Sequence, residues 1–206
     1  MAAAKKKSAK KTSAAPAKKA AKPAKKSAIG VKLAKPAKAT PAQKRLHALV
    51  ATVASVKDAD AFCDKFFVAL SERINELNAA EEYILYYLGT EILEREVESG
   101  GFVLAFINLG RDSQFIDWAK DGYRALGKPK AAALLQKALL LAKKDEKDLL
   151  ALAKAVGTKR GIDAYLAYRA KGTFSALEDQ AEKDLFFTKK ARVGLVKKYK
   201  VHFAAL

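Results

Sequence analysis

The first 45 residues contain 14 Lys, one Arg and no Asp or Glu, and nothing else in the chain limits its folding as strongly. Pro16, Pro23, Pro36 and Pro41 lie in the same stretch, and its only large apolar side chains besides Met1 are Ile29, Val31 and Leu33. Fixing a residue costs roughly 1–2 kcal/mol of conformational entropy. A segment this poor in apolar surface cannot offset that cost. The expectation is a disordered basic tail over residues 1–42, with all packing confined to residues 43–206.

The chemistry open to such a tail is electrostatic. Lys5, Lys6, Lys7, Lys10, Lys11, Lys18, Lys19, Lys22, Lys25 and Lys26 are candidate nucleic-acid-binding residues. Each phosphate that a lysine neutralises on duplex DNA adds about 0.9 to the slope of log affinity against log salt. No aromatic residue precedes Phe62, so the tail has no platform on which bases stack, and its contact should be independent of base sequence. The composition is similar to the Ala-Lys-Pro tails of linker-histone-like proteins, bacterial ones included.

The remainder carries little net charge but distributes it unevenly. Residues 58–121 hold 14 acidic and five basic side chains, and residues 122–206 hold eight acidic and 19 basic. At least one exposed acidic surface is therefore expected. The single cysteine, Cys63, has no partner for a disulfide, which fits a reducing cytosol, and its neighbours Phe62 and Phe66 point to burial. No apolar run reaches the roughly 18 residues of a membrane span, and the start lacks the apolar core of a secretory signal. The expected location is cytoplasmic or nucleoid-associated, with no membrane contact.

From Thr40 onward apolar residues recur every three or four positions, the period of a helix buried on one side. Leu46, Leu49, Val50 and Val53 share a face. Asp58 is placed to cap a helix carrying Phe62, Phe66, Phe67, Leu70, Ile74 and Leu77, and Asn78 to cap the next, with Ile84, Leu85, Leu88, Ile92, Leu93 and Val97. Ser113 or Asp112 opens a helix that Gly127 stops, and Pro129 suits a first helical turn. Shorter helices follow near 149–156 and 162–168, then a last one from about Ser175 towards the C-terminus. No segment alternates with the period of a strand. The fold class is all-α, a compact bundle of about seven or eight helices.

The run Glu98-Ser99-Gly100-Gly101-Phe102 raises the possibility of a phosphate loop. It lacks the glycine spacing and the lysine of such loops, and Glu94, Glu96 and Glu98 would repel a phosphate. The better reading is a corner between packed helices. Gly100 ends one helix with a positive φ, Gly101 admits a close neighbour, and Phe102 starts a buried helix that carries Asn108.

The stretch from Tyr86 to Leu139, with Gly100, Gly101, Phe102, Phe106, Asn108, Gly110, Leu126, Gly127 and Ala138 as matching positions, resembles the bacterial DNA-mimic-protein family. The resemblance covers roughly residues 70–206. It departs at Ser99, Leu104 and Ala105. It implies an all-helical fold and, from at least one characterised member, an acidic surface that imitates DNA and occupies a DNA-binding protein.

His47 and His202, the only histidines, lie near opposite ends of the body, and no metal-binding or nucleophile–base spacing accompanies them. No catalytic residue, metal or cofactor is expected. The expected function is that of a non-enzymatic binding protein with a protein partner and a nucleic-acid-binding tail. The alternative is a histone-like DNA-binding protein whose tail carries the function. Glu91, Glu94, Glu98, Asp112 and Trp118, with Tyr86 and Tyr87 beside them, are the candidate protein-binding residues.

Overall fold

The structure is a computed structural model that describes residues 39–74, 82–184 and 188–206. The ten tail lysines, Leu77 and the expected cap Asn78 lie outside the described residues. Within them every regular element is helical: α1 (Pro41–Thr52), a 3-10 turn (Val53–Ser55), α2 (Ala59–Ser71), α3 (Glu82–Leu109), α4 (Gln114–Ala125), α5 (Pro129–Lys144), α6 (Glu146–Ala155), α7 (Lys159–Arg169), α8 (Ser175–Asp184), α9 (Lys189–Lys198) and α10 (Lys200–Ala204).

Local chemistry accounts for the starts. Thr40 and Gln43 form a reciprocal capping box before α1, with Pro41 in the first turn. The Asp58 carboxylate accepts from the Asp60 and Ala61 amides at the start of α2. Pro129 opens α5, and the Thr158 hydroxyl accepts from Gly161 at α7. Ser113 occupies the cap position of α4 without bonding through its side chain.

Two apolar clusters form the core. The first joins Leu46, Val50, Phe62, Phe66, Leu70, Ile84, Tyr87 and Leu88 to Val193, Leu195, Val196 and Phe203. Phe66 packs edge-on against both Tyr87 and Phe203, with ring centroids 4.9 and 5.5 Å away. The second gathers Leu93, Phe102, Phe106, Ile116, Tyr123, Leu135, Tyr168 and Phe174. α3 contributes to both clusters, so it is the spine of the body. Cys63 is fully buried in the first, and burial pushes its thiol up, away from the range of a reactive thiolate.

Two expectations are corrected. The last helix does not run on from Ser175. It is divided into α8, α9 and α10, and this division takes the described body to ten α-helices. Thr188, at the cap of α9, and Arg192 within it face inward, where both are fully buried. The positive φ at the glycine pair belongs to Gly101 (φ 74°), whereas Gly100 is extended (φ −167°).

Candidate functional site

Glu91 and Glu94 were expected on a protein-binding face, and the structure places them in the core. They are 1 % and 2 % exposed. The reason lies in their register: Ile84, Tyr87, Glu91 and Glu94 follow a three-four-three spacing, the side of α3 that turns towards α9. Arg192, wholly buried, meets them there. Its Nη1 donates to Glu94 Oε2 at 2.6 Å and to Thr188 Oγ1 at 2.7 Å, and its Nη2 lies 2.8 Å from Glu91 Oε2. The Thr188 hydroxyl donates to the other oxygen of Glu94.

The network continues outward. Arg95 Nε donates to Glu91 Oε1 at 2.7 Å, and Arg95 Nη2 donates to Asp64 of α2 at 2.6 Å. A chain of alternating charge therefore runs from Asp64 at the surface through Arg95, Glu91 and Arg192 to Glu94. Burial alone would lower the Arg192 guanidinium, but Glu94 and Glu91 outweigh it and hold the group charged, above its ordinary value. Tyr87 and Tyr123, both fully buried beside the network, are pushed well up by burial, with Cys63 next in effect on Tyr87 and Glu94 on Tyr123.

The remaining expected residues stand apart. Glu98 is exposed near the end of the first arm of α3. Asp112 is exposed in the turn before α4, where a two-pronged bond from Arg111 holds its carboxyl below the ordinary value. Trp118 is half-buried on α4, edge-on to Phe115 at 5.1 Å. Tyr86 is half-buried and bonded to Glu82, and Tyr87 donates to the Cys63 carbonyl in the core. These residues do not converge on a single site.

A different exposed group of carboxylates does converge. Lys189, at the start of α9, lies 3.3 Å from Asp60. Partial burial works against its charge, but Asp60, Glu98 and Asp64 hold the ammonium above its ordinary value. The three carboxylates belong to α2 and α3 and are all exposed. The sequence reading missed Asp60 and Asp64 because they sit on the polar side of α2, which looks like ordinary solvated surface. Arg192 shares its register with Val193, Leu195 and Val196, but a long cation at such a position reads equally well as one whose head reaches solvent, so its sequence context did not mark it.

The glycine corner is closed by side chains remote in sequence. The Glu178 carboxylate from α8 accepts from the Phe102 amide at 3.0 Å and so caps the second arm of α3. The Tyr165 hydroxyl from α7 donates to the Gly100 carbonyl at 2.7 Å. Arg169 reaches the other Glu178 oxygen at 3.2 Å. An incoming phosphate would find this helix start already occupied by a carboxylate. Gly101→Ala would place a methyl group in the path of Glu178 at a left-handed position. The expected cost is about 2 kcal/mol, from backbone strain and the lost cap, measurable by urea denaturation. Glu178→Gln, which keeps an acceptor, should cost less than half as much.

Among the described residues no three His, Cys, Asp or Glu side chains are grouped to hold a metal ion, and no helix is long and apolar enough to cross a membrane. Comparison with curated proteins and with solved structures gives no match. A family model described as DMP19-like protein matches residues 75–192, more than half of the chain and the same region that carries the glycine corner and the buried Glu-Arg network. The all-helical fold and this match agree with the DNA-mimic resemblance of residues 70–206, and the chain belongs to the DMP19-like protein family.

Proposed function

We propose that the helical body is a non-enzymatic protein-binding module of the DNA-mimic kind, and that its contact face is the exposed carboxylate group Asp60, Asp64 and Glu98. The partner is a basic, DNA-binding protein, and the lysines of residues 1–38 supply sequence-independent contact with nucleic acid. The observation that carries this reading is the way the buried network supports that face. Asp64 is fixed by Arg95, and Arg95 by Glu91, which itself faces Arg192 in the core. Asp64 thus hangs on a rigid frame, with Asp60 held beside it by Lys189, and preorganised charge costs less to bring into an interface.

Asp60 and Asp64 face cations of their own, Lys189 and Arg95. Glu98, however, adds a third carboxylate to the field on Lys189, and Arg95 is shared with Glu91, so acids outnumber cations at this edge. Several other surface acids are instead matched one to one. Asp117 faces Lys120 at 3.0 Å, Asp121 faces Arg124 at 2.7 Å, and Asp148 faces Lys171 at 2.9 Å. Mimicry is therefore assigned to one edge of the body and not to its whole surface. The location that follows is the bacterial cytoplasm, near the nucleoid.

The test is competition. The full-length chain should displace a basic DNA-binding protein from a labelled duplex. The triple charge reversal Asp60→Lys, Asp64→Lys, Glu98→Lys should weaken that displacement at least about tenfold, the equivalent of about 1.4 kcal/mol. Unchanged displacement would overturn the reading. It would favour the histone-like alternative if deletion of residues 1–38 then removed all activity on DNA.

A further inference from the structure

Residues 1–57 and 185–206 contain no Asp or Glu. Within the body, the fold brings the described parts of these two acid-free stretches together. α1 lies along α10, with Gln43 Nε2 donating to the Leu206 carbonyl at 3.1 Å and Lys200 Nζ donating to the Ala51 carbonyl at 3.4 Å. Beneath them Leu46, Val50 and Val53 share one apolar cluster with Val193, Val196 and Phe203. With their apolar sides joined, the elements turn cations outward: Lys44 on α1, Lys190, Lys197 and Lys198 on α9, and Lys200 on α10 are all exposed.

Their lack of carboxylate partners sets these lysines apart from the other cations nearby. Arg45 is paired with Glu72 and Lys189 with Asp60, so acids in α2 and just after it engage the cations at the margin. Among the described residues no ion pair involves Lys44, Lys190, Lys197, Lys198 or Lys200. Lys198 instead lies 5.0 Å over the ring of Tyr199. Lys190, Lys197 and Lys198 stand seven and eight positions apart, on one side of α9.

We propose that this end of the body, formed by α1, α9 and α10, is a folded contact surface for the phosphate backbone of duplex DNA. Charge complementarity carries the proposal: an exposed cluster of uncompensated ammonium groups fits a regular array of phosphates and reads no bases. An anionic membrane suits the surface less well. Val201 is the one large apolar side chain that α9 and α10 expose strongly, and interfacial helices bury a broad apolar face. The surface is distinct from the carboxylate group of the proposed protein contact, so either can fail without the other.

The experiment compares two full-length variants that lose equal charge and keep all lysines of residues 1–38. One is Lys190→Gln, Lys197→Gln, Lys198→Gln. The control is Lys130→Gln, Lys137→Gln, Lys154→Gln, three exposed lysines of α5 and α6 that form no ion pair among the described residues. Binding to a duplex is measured over a range of salt concentrations. The first triple should weaken binding about tenfold at low salt and reduce the slope of log affinity against log salt by about 2, whereas the control shifts affinity less than about threefold. Equal behaviour of the two triples, or no duplex binding by the unaltered chain, overturns the proposal. So does a first triple that loses binding to phosphatidylserine vesicles while its duplex affinity is unchanged.

Discussion

Arg192→Ala lowers the stability of the body by about 3–5 kcal/mol, the usual consequence of leaving buried carboxylates without their cation. At this size that corresponds to a fall of about 10 °C in Tm. The magnitude follows from the partners. Arg192 is wholly buried and, among the described residues, is the one cation paired with Glu94, while Glu91 keeps Arg95 as a second. Removing Arg192 strands Glu94 and leaves the Thr188 hydroxyl bonded to an uncompensated charge. The triple variant Arg192→Met, Glu91→Gln, Glu94→Gln removes the stranded charges together and should recover more than half of the loss. A single Thr188→Val change should cost about 1–2 kcal/mol, from one hydroxyl that both donates and accepts. Calorimetry on the four proteins settles the order. An Arg192→Ala variant within about 1 kcal/mol of the parent would mean that water reaches the network and that it supports no surface frame.

The network also reconciles a charge pattern that the sequence presents as polarity. The acids of residues 58–121 and the cations of residues 122–206 look like two opposed surfaces when the chain is laid out in a line. In the fold several meet directly: Asp60 with Lys189, and Glu91 and Glu94 with Arg192. Linear charge counts predict surface potential poorly because opposite signs attract during packing. Two of the strongest candidates for an acidic face were drawn inside for this reason.

Periodicity and caps read out well because they are local. The Asp58 cap, the Pro129 start, the stop at Gly127 and the burial of Cys63 depend on a few neighbouring residues, and each stands as expected. The corner at Gly100-Gly101 was legible as a corner. Its closure by Glu178 and Tyr165 was not, since both come from helices more than 60 residues away. The division of the last helix was hidden for a related reason. Lys189 to Lys198 carries apolar residues at helical spacing, and nothing in that pattern reveals that Arg192 must turn inward to meet α3.

Gly89→Ala should destabilise the body by about 2–3 kcal/mol even though alanine favours a helix interior by about 1 kcal/mol over glycine. Gly89 lies inside α3 at its crossing with α4. A methyl group added there would sit 2.5 Å from the Ala119 backbone nitrogen and 2.6 Å from the Trp118 Cβ, neither of which can swing away. Gly122 answers it from α4, where the same addition would sit 2.7 Å from the Tyr86 carbonyl oxygen. The two glycines let the helix backbones approach more closely than any side chain permits, and Thr90 fills the space beside them with its hydroxyl bonded back to the Tyr86 carbonyl at 2.8 Å. Gly194 supplies the control. It lies in α9, exposed, with open space where its Cβ would be, so Gly194→Ala should stabilise the protein by about 0.5–1 kcal/mol. Opposite signs from two chemically identical substitutions, read by urea denaturation, would show that the α3–α4 crossing depends on the absent methyl group. Stabilisation by both would mean that the helices stand farther apart than described, and that Trp118 has room to turn outward as part of a contact face.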